Sequence, residues 1–332
     1  MVSVDFGITS TIYSVDWGGI DDYYIAIGGS GALAVGNFDN THNLRIYHFD
    51  KNNINLEPIA SYDSGNIVKT AKWNFSGAYL AFGGRENETT CNLNLLYFDP
   101  MQTTQANRLQ LKDTQIFPIL GSETLINYVD WNLDSKYLAL GGMASDDGNT
   151  IRIYEFNPIS ETLSLITYAS DATVFVSYIK WSPNNEYLAY GGEEPSYGGD
   201  KTVFLSFNPN LDFKLNFLGY TQMRSMSGSW NPTKLNLFAS AGKPRFRSYY
   251  GHKNESNLNV NLFNQGSITI SDNQPFTNTY NTYDGVYSVD WRNDGSYIAV
   301  GGQGSASCGG FSNTNEIRIY RFNKISEKTE AI

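Results

Sequence analysis

A single pattern of hydrophobic and polar positions recurs six times along the chain. One copy, residues 127–142, reads NYVDWNLDSKYLALGG. Its hydrophobic positions alternate on both sides of a short polar segment, as they do in half-buried strands. The Asn, Asp and Ser residues of that segment favour tight turns. Each copy therefore predicts two antiparallel strands that are joined by a turn and end at a Gly-Gly pair.

A third strand is predicted after each Gly-Gly pair and a loop. It ends in a phenylalanine, as in LRIYHF up to Phe49, IRIYEF up to Phe156 and IRIYRF up to Phe322. A fourth, less regular strand is expected before the next copy begins. Four strands in roughly 50 to 60 residues are typical of one blade of a β-propeller.

The tryptophans set the number of units, because each copy contains one of them. They are separated by 56, 58, 50, 49 and 61 residues, and they are Trp17, Trp73, Trp131, Trp181, Trp230 and Trp291. Six units account for the whole chain and leave no room for a seventh. We therefore expect an all-β fold, a six-bladed β-propeller with four antiparallel strands per blade, in a single domain over residues 1–332.

The two ends of the chain suggest how the ring closes. The sequence stops soon after the third strand of the last unit, and it begins with VSVDF, a strand without an earlier partner. We expect residues 1–8 to pair with residues 315–323 and complete the last blade. Such pairing removes free strand edges, which otherwise promote aggregation.

The repeated phrase V-D-W-x-x-D-x-x-Y-L-A-x-G-G, followed by R-I-Y-x-F, resembles the WD-repeat β-propeller family. The resemblance covers all six units and implies the propeller fold. The family's Trp-Asp dipeptide is missing after the third strand, where Tyr154-Glu155-Phe156 stands instead, and the Gly-His pair is missing as well. The hydrogen-bonded network of the family therefore does not carry over, and we expect aromatic packing to hold the blades together.

Residues that recur once per blade are expected to serve the architecture. The six tryptophans are predicted to be core residues, and Arg45, Arg152 and Arg318 occupy equivalent positions in the third strands. The residue before each tryptophan forms an inner charged ring, predicted to be a structural salt-bridge belt of Asp16, Lys72, Asp130, Lys180 and Asp290. The neighbouring acids Asp16 and Asp290 leave a second interpretation open, in which they bind a cation or share a proton.

Composition limits the class of protein. Charged residues make up 17% of the chain and the net charge is −10, which argues against bulk binding of nucleic acid. Two cysteines allow no disulfide framework. No apolar run approaches the roughly 18 residues of a membrane span, and no signal peptide is recognised, so we expect a cytoplasmic protein. No metal site and no cofactor are predicted, because no motif for either is found.

A basic and aromatic loop is the predicted binding surface for a partner. Residues 243–253 read KPRFRSYYGHK, and Arg and Tyr are frequent anchors at interfaces. Acidic residues of the fourth unit are expected close to this loop. The predicted partner-binding residues are Arg85, Glu193, Glu194, Tyr197, Arg245, Phe246, Arg247, Tyr249, Tyr250 and His252.

These features lead to a prediction of function with two alternatives. The main prediction is a non-catalytic scaffold, expected to be a monomer, that binds a partner peptide or protein on the rim with the long loops. It assigns no catalytic residues, because no nucleophile-elbow motif or metal-ligand spacing is present. The first alternative is a propeller hydrolase with a central carboxylate site. The second is a structural or surface-assembly protein.

Overall fold

The computed structural model describes most of the chain with gaps between the strands. The described residues are 10–31, 38–39, 42–65, 67–85, 90–118, 126–142, 149–170, 175–193, 201–243, 257–264, 267–274, 285–303 and 317–332. Residues 1–8, predicted to close the last blade, lie outside this part of the chain.

The described residues form six sheets, each with four antiparallel strands in consecutive order. This confirms the all-β prediction and the four strands per unit, and it is consistent with a six-bladed propeller. Helical structure within the described part is limited to two 3-10 turns, Ile20–Asp22 and Gln105–Asn107.

The chain divides into two compact units, and the first, Met1–Ala172, contains three of the sheets. Its first sheet consists of β1 (Thr11–Gly18), β2 (Tyr24–Ser30), β3 (Leu44–Asp50) and β4 (Asn55–Tyr62). The second consists of β5 (Ile67–Trp73), β6 (Tyr79–Arg85), β7 (Thr90–Phe98) and β8 (Leu109–Pro118). The third consists of β9 (Ile126–Trp131), β10 (Tyr137–Gly142), β11 (Ile151–Asn157) and β12 (Thr162–Ala169).

The second compact unit, Thr173–Ile332, contains the other three sheets. The fourth sheet consists of β13 (Phe175–Trp181), β14 (Tyr187–Glu193), β15 (Lys201–Phe207) and β16 (Leu215–Gln222). The fifth consists of β17 (Arg224–Trp230), β18 (Leu237–Lys243), β19 (Leu258–Asn264) and β20 (Ser267–Gln274). The sixth consists of β21 (Gly285–Trp291), β22 (Tyr297–Gln303), β23 (Ile317–Asn323) and β24 (Lys328–Ala331).

The fourth strand of the last sheet differs from the prediction. β24, at the C-terminal end of the sequence, pairs with β23 from Tyr320 to Asn323. The sequence analysis predicted that residues 1–8 would form this fourth strand. The difference arises because residues 324–327 form a tight turn that folds the chain back, with Glu327 in the left-handed region at φ 56°.

Aromatic contacts join consecutive sheets within each unit. Tyr79 of the second sheet packs edge-on against Phe156 of the third at 4.8 Å between ring centroids, and Phe156 contacts Trp131 of its own sheet at 5.6 Å. The same arrangement of Tyr and Phe recurs between Tyr24 and Phe98 at 4.9 Å. Repeated aromatic positions therefore pack the seam between neighbouring sheets.

The indole nitrogens add a repeated hydrogen bond across these seams. Trp131 donates to the carbonyl of Lys72 at 3.2 Å, and Trp291 donates to the carbonyl of Ser229 at 3.1 Å. Trp230 makes the equivalent bond to Lys180 at 3.1 Å. In each case the acceptor is the residue before the tryptophan of the preceding sheet.

Trp17 departs from its predicted place in the core. It is 52% exposed, whereas the other five tryptophans are at most 8% exposed. Trp17 contacts Phe49 of its own sheet at 5.4 Å. Its sheet is the first of its compact unit, so no preceding sheet of the same unit covers the indole ring.

Candidate functional site

Most of the predicted partner-binding surface lies outside the described residues. This applies to Glu194, Tyr197, Arg245, Phe246, Arg247, Tyr249, Tyr250 and His252. Glu193 is the last residue of β14, and only its backbone is described. Arg85 is the last residue of β6 and lines a cavity between the first two sheets.

The predicted inner charged ring has partners that the structure identifies in each unit. Asp16 forms an ion pair with Lys72, and its other carboxylate oxygen accepts the backbone N–H of Trp73 at 2.9 Å. Asp290 accepts a hydrogen bond from the Ser229 hydroxyl at 2.7 Å. These contacts join consecutive sheets, so Asp16 is held in the framework. Asp130 and Lys180 lie at the same position in β9 and β13, and a belt around all units stays a prediction.

A cluster of Tyr13, Ser30 and Lys69 has the composition of a reactive site. The phenol of Tyr13 is hydrogen-bonded to the side chain of Ser30 and contacts Thr11 and Lys69. The Lys69 ammonium lies 3.6 Å from the centroid of the Tyr13 ring. A hydroxyl, a phenol and a cation therefore meet where the first strands of the first two sheets begin.

β-Bulges place two members of this cluster. Tyr13 is the extra residue in β1 between Ile12 and Ser14, and Lys69 is the extra residue in β5 between Val68 and Thr70. A bulge redirects a side chain from the regular alternation of a strand, and bulges are common beside active sites. The same bulge recurs in all six sheets, at Tyr13, Lys69, Asn127, Ser177, Met226 and Tyr287.

Ser30 is held at the end of β2. It lies opposite Thr11 in the ladder between β1 and β2. The next residue, Gly31, has φ 67°, a left-handed conformation that glycine adopts without the penalty of a side chain. The backbone therefore turns away directly after Ser30 and leaves its side chain at the edge of the sheet.

The environment of Tyr13 lowers the pKa of its phenol. The hydrogen bond with Ser30 lowers the pKa of Tyr13 below its usual value of 10.0, although partial burial acts in the opposite direction. The positive charge of Lys69 lowers this pKa further. The Tyr13 oxygen and the Ser30 hydroxyl are therefore within hydrogen-bonding reach of each other.

The sequence carries one signal for this cluster, at the residue after the first Gly-Gly pair. Ser30 follows a Gly-Gly pair, where other units have Arg85, Glu193, Lys243 or Gln303. Its segment reads Gly28-Gly29-Ser30-Gly31, close to a nucleophile elbow, but Ala32 replaces the last glycine. The contact with Tyr13 and Lys69 depends on two bulges, which the alternation of hydrophobic positions does not reveal.

The described residues contain no cluster of His, Cys, Asp and Glu side chains arranged to hold a metal ion. In the same part of the chain, no helix has the length and apolar character needed to cross a membrane.

Comparison with protein families gives one match. The family described as WD domain, G-beta repeat, matches residues 274–308, which include the first strands of the sixth sheet. The match covers one of the six repeats and agrees with the resemblance found in the sequence. No curated protein matches the chain.

Two similar solved structures are named as lactonases. One is described as a "putative 6-phosphogluconolactonase" from Bacteroides uniformis, with 12% identity, a TM-score of 0.63 and coverage of 95% of this chain and 83% of that chain. The other is the periplasmic gluconolactonase of Pseudomonas aeruginosa, with 10% identity, a TM-score of 0.60 and coverage of 96% and 83%. The cytoplasmic location predicted from the sequence stays a prediction beside this periplasmic neighbour.

A third similar structure belongs to an assembly of proteins. It is a chain of the mitotic checkpoint complex, with 14% identity, a TM-score of 0.56 and coverage of 99% of this chain and 86% of that chain.

The similar lactonases correct the predicted function. The predictions of a non-catalytic scaffold and of a protein that is not an enzyme are wrong, because the neighbours favour the alternative of a propeller hydrolase. The physical reason for the error is that sequence motifs do not reveal side chains that separate strands bring together only in the folded protein. At these identities the likeness shows the fold: this chain shares its all-β architecture with lactonases and with a member of a protein complex.

Proposed function

We propose that the protein is a hydrolase that opens a cyclic ester, a lactone, with Ser30 as the nucleophile. The observation that carries the proposal is the contact of Ser30 with Tyr13 beside Lys69, in a fold that resembles those of two named lactonases. In this proposal the six sheets are the blades of one propeller, built from divergent copies of the WD-type repeat.

The first half of the reaction transfers the acyl group to Ser30. Its Oγ attacks the carbonyl carbon of the lactone while its proton passes to the Tyr13 phenolate. The ring C–O bond then breaks, and the departing alkoxide takes that proton from Tyr13. The products of this half are a Ser30 ester, a free hydroxyl on the opened chain and Tyr13 again as phenolate.

Water completes the cycle. Tyr13 accepts a proton from a water molecule that attacks the Ser30 ester, and the proton returns to Ser30 Oγ as the ester bond breaks. The net reaction adds one water to the lactone and releases a hydroxy acid. Lys69 stabilises the phenolate throughout, since a nearby opposite charge favours the ionised form.

The proposal differs from the central carboxylate site suggested by the sequence. Asp16 already accepts hydrogen bonds from Lys72 and from the Trp73 backbone, so it is poorly placed to act as a base. Tyr13 is 41% exposed and so can reach a substrate from solvent.

The direct test measures hydrolysis of D-glucono-1,5-lactone by the purified protein. The acid that is released is titrated continuously at constant pH. We expect a rate above the spontaneous hydrolysis that increases in proportion to protein concentration and saturates with substrate. Heat-unfolded protein is the control for trace catalysis by the buffer or by exposed side chains. A rate equal to the spontaneous rate, with this lactone, its 6-phosphate and unsubstituted δ-lactones, would overturn the proposal.

A further inference from the structure

A cavity lies between the first and second sheets, and none of the residues that line it belongs to the cluster of Tyr13, Ser30 and Lys69. Its volume is about 320 Å³, which is within the range of roughly 300 to 1,000 Å³ that is typical of small-molecule sites. Its polar lining includes Asp63, Ser64, Arg85, Asn92 and Asn94. None of these residues is used in the proposed hydrolysis.

The cavity lies where the repeat is interrupted. Three of the third strands carry a buried arginine four residues before the final phenylalanine, namely Arg45, Arg152 and Arg318. In the third sheet, Arg152 donates to the carbonyl of Asn149 at 2.9 Å and lies 4.9 Å from the centroid of Phe117. The second sheet has the shorter Asn94 at this position. The long side chain that fills the next seam is therefore missing here.

The aromatic partner is missing from the same place. In the second sheet, Asn94 lies opposite Thr114, and Phe117 follows Thr114 by three residues. In the first sheet, Arg45 lies opposite Ser61, and Ser64 follows Ser61 by three residues, so Ser64 is the positional equivalent of Phe117. Ser64 thus replaces a phenylalanine just as Asn94 replaces an arginine, and two small side chains leave the space that the pair Arg152 and Phe117 occupies in the next seam.

The lining has polar groups suited to hydroxyls and to a single negative charge. The Ser64 hydroxyl is buried and, among the described residues, has no hydrogen-bond partner. Asp63 is fixed by a hydrogen bond that it accepts from the Gly65 backbone at 3.1 Å. Arg85 supplies one positive charge to the lining, and Asp63 supplies one negative charge.

This balance of charges selects among ligands. A guanidinium binds a carboxylate in a planar pair, and amide and hydroxyl groups exchange hydrogen bonds with several hydroxyls. A phosphate dianion fits less well, because Asp63 contributes a negative charge to the same lining. A purely apolar ligand would leave the buried Ser64 hydroxyl without compensation.

We propose that this cavity is a binding site for a small polyhydroxylated carboxylic acid. Arg85 binds the carboxylate, and Asp63, Ser64, Asn92 and Asn94 bind hydroxyl groups. The site is distinct from the proposed catalytic cluster, and its occupancy does not require hydrolysis.

The test is titration calorimetry with sodium D-gluconate as the probe. We expect one saturable site on the wild-type protein and the same affinity for Ser30→Ala, which separates binding in the cavity from catalysis. Arg85→Gln should weaken binding at least about tenfold, because it removes a charge-assisted pair. Arg321→Gln is the matched control, since it removes an exposed arginine in the sixth sheet that pairs with Glu330, and it should bind as wild type does.

A second variant fills the space instead of removing a charge. The double substitution Ser64→Phe and Asn94→Arg introduces the pair used in the next seam and should abolish gluconate binding. Thermal unfolding identifies a misfolded double variant, in which case Arg85→Gln alone decides the question. Equal affinities of wild type and Arg85→Gln, inorganic phosphate displacing gluconate with higher affinity, or no binding by wild type would each overturn the proposal.

Discussion

At the scale of single residues, the account depends on Tyr13 and on the two side chains that surround it. The sequence alone does not bring Ser30 and Lys69 together with Tyr13, because only the bulges in β1 and β5 place Lys69 over the tyrosine ring. Tyr287 occupies the same bulge position in the sixth sheet as Tyr13 does in the first, but the residue equivalent to Ser30 is Gln303. The structure therefore provides an internal control for the proposed reactive tyrosine.

Removal of the Lys69 charge should shift the pH dependence of lactone hydrolysis. Hydrogen bonding with Ser30 and the charge of Lys69 both lower the pKa of Tyr13, so Lys69→Met should raise this pKa. Because the phenolate is the active base, the rising limb of kcat/KM should move to higher pH. The measurement is the pH profile of kcat/KM after subtraction of the spontaneous rate.

The control for this experiment is Lys328→Met, which removes a lysine on the sixth sheet that is 58% exposed. Its profile should coincide with that of the wild type. A Lys69→Met profile that has the same midpoint as the wild type, at any level of activity, would contradict the role of Lys69.

At the scale of strands and sheets, stability is expected to reside in the aromatic seams. The sequence predicted aromatic packing between blades, and such contacts lie at these seams, because residues that recur at one strand position pack the same space in each sheet. It could not predict the exposure of Trp17, since burial of an indole depends on a neighbouring sheet as well as on its own strand. It also could not predict the cavity at Asn94, which results from two substitutions in strands that are far apart in sequence.

Two tryptophans at equivalent positions should therefore differ in their contributions to stability. Trp131→Ala removes a buried ring that contacts Phe156 and donates to the Lys72 carbonyl, and it should cost roughly 3–5 kcal/mol of unfolding free energy. Trp17→Ala removes a ring that is 52% exposed and should cost about half as much or less. Urea unfolding followed by circular dichroism measures both values.

Trp291→Ala serves as a second buried reference in the other compact unit and should behave like Trp131→Ala. If Trp17→Ala destabilises the protein as strongly as the two buried substitutions, the different environment of Trp17 has no energetic consequence and this explanation is wrong.

At the scale of the whole molecule, six four-stranded sheets were predictable because the tryptophan phrase repeats through the chain. The segment that forms the fourth strand of the last sheet was not predictable, because VSVDF and the C-terminal KTEA are both short segments compatible with a strand. The function was the hardest part to predict, since the proposed catalytic groups come from separate strands, β1, β2 and β5. A shared fold does not by itself separate a scaffold from a hydrolase, and the proposed hydrolysis rests on the cluster around Ser30.

The most direct test of the central claim is the mass of the protein after rapid acid quenching during turnover of D-glucono-1,5-lactone. The account predicts an adduct with the mass of the opened lactone on the peptide that contains Ser30. It also predicts that Ser30→Ala lacks the adduct and loses at least about a hundredfold in rate, whereas Gln303→Ala retains both adduct and rate. Wild-type rates in Ser30→Ala, or an adduct on a different residue, would contradict the claim.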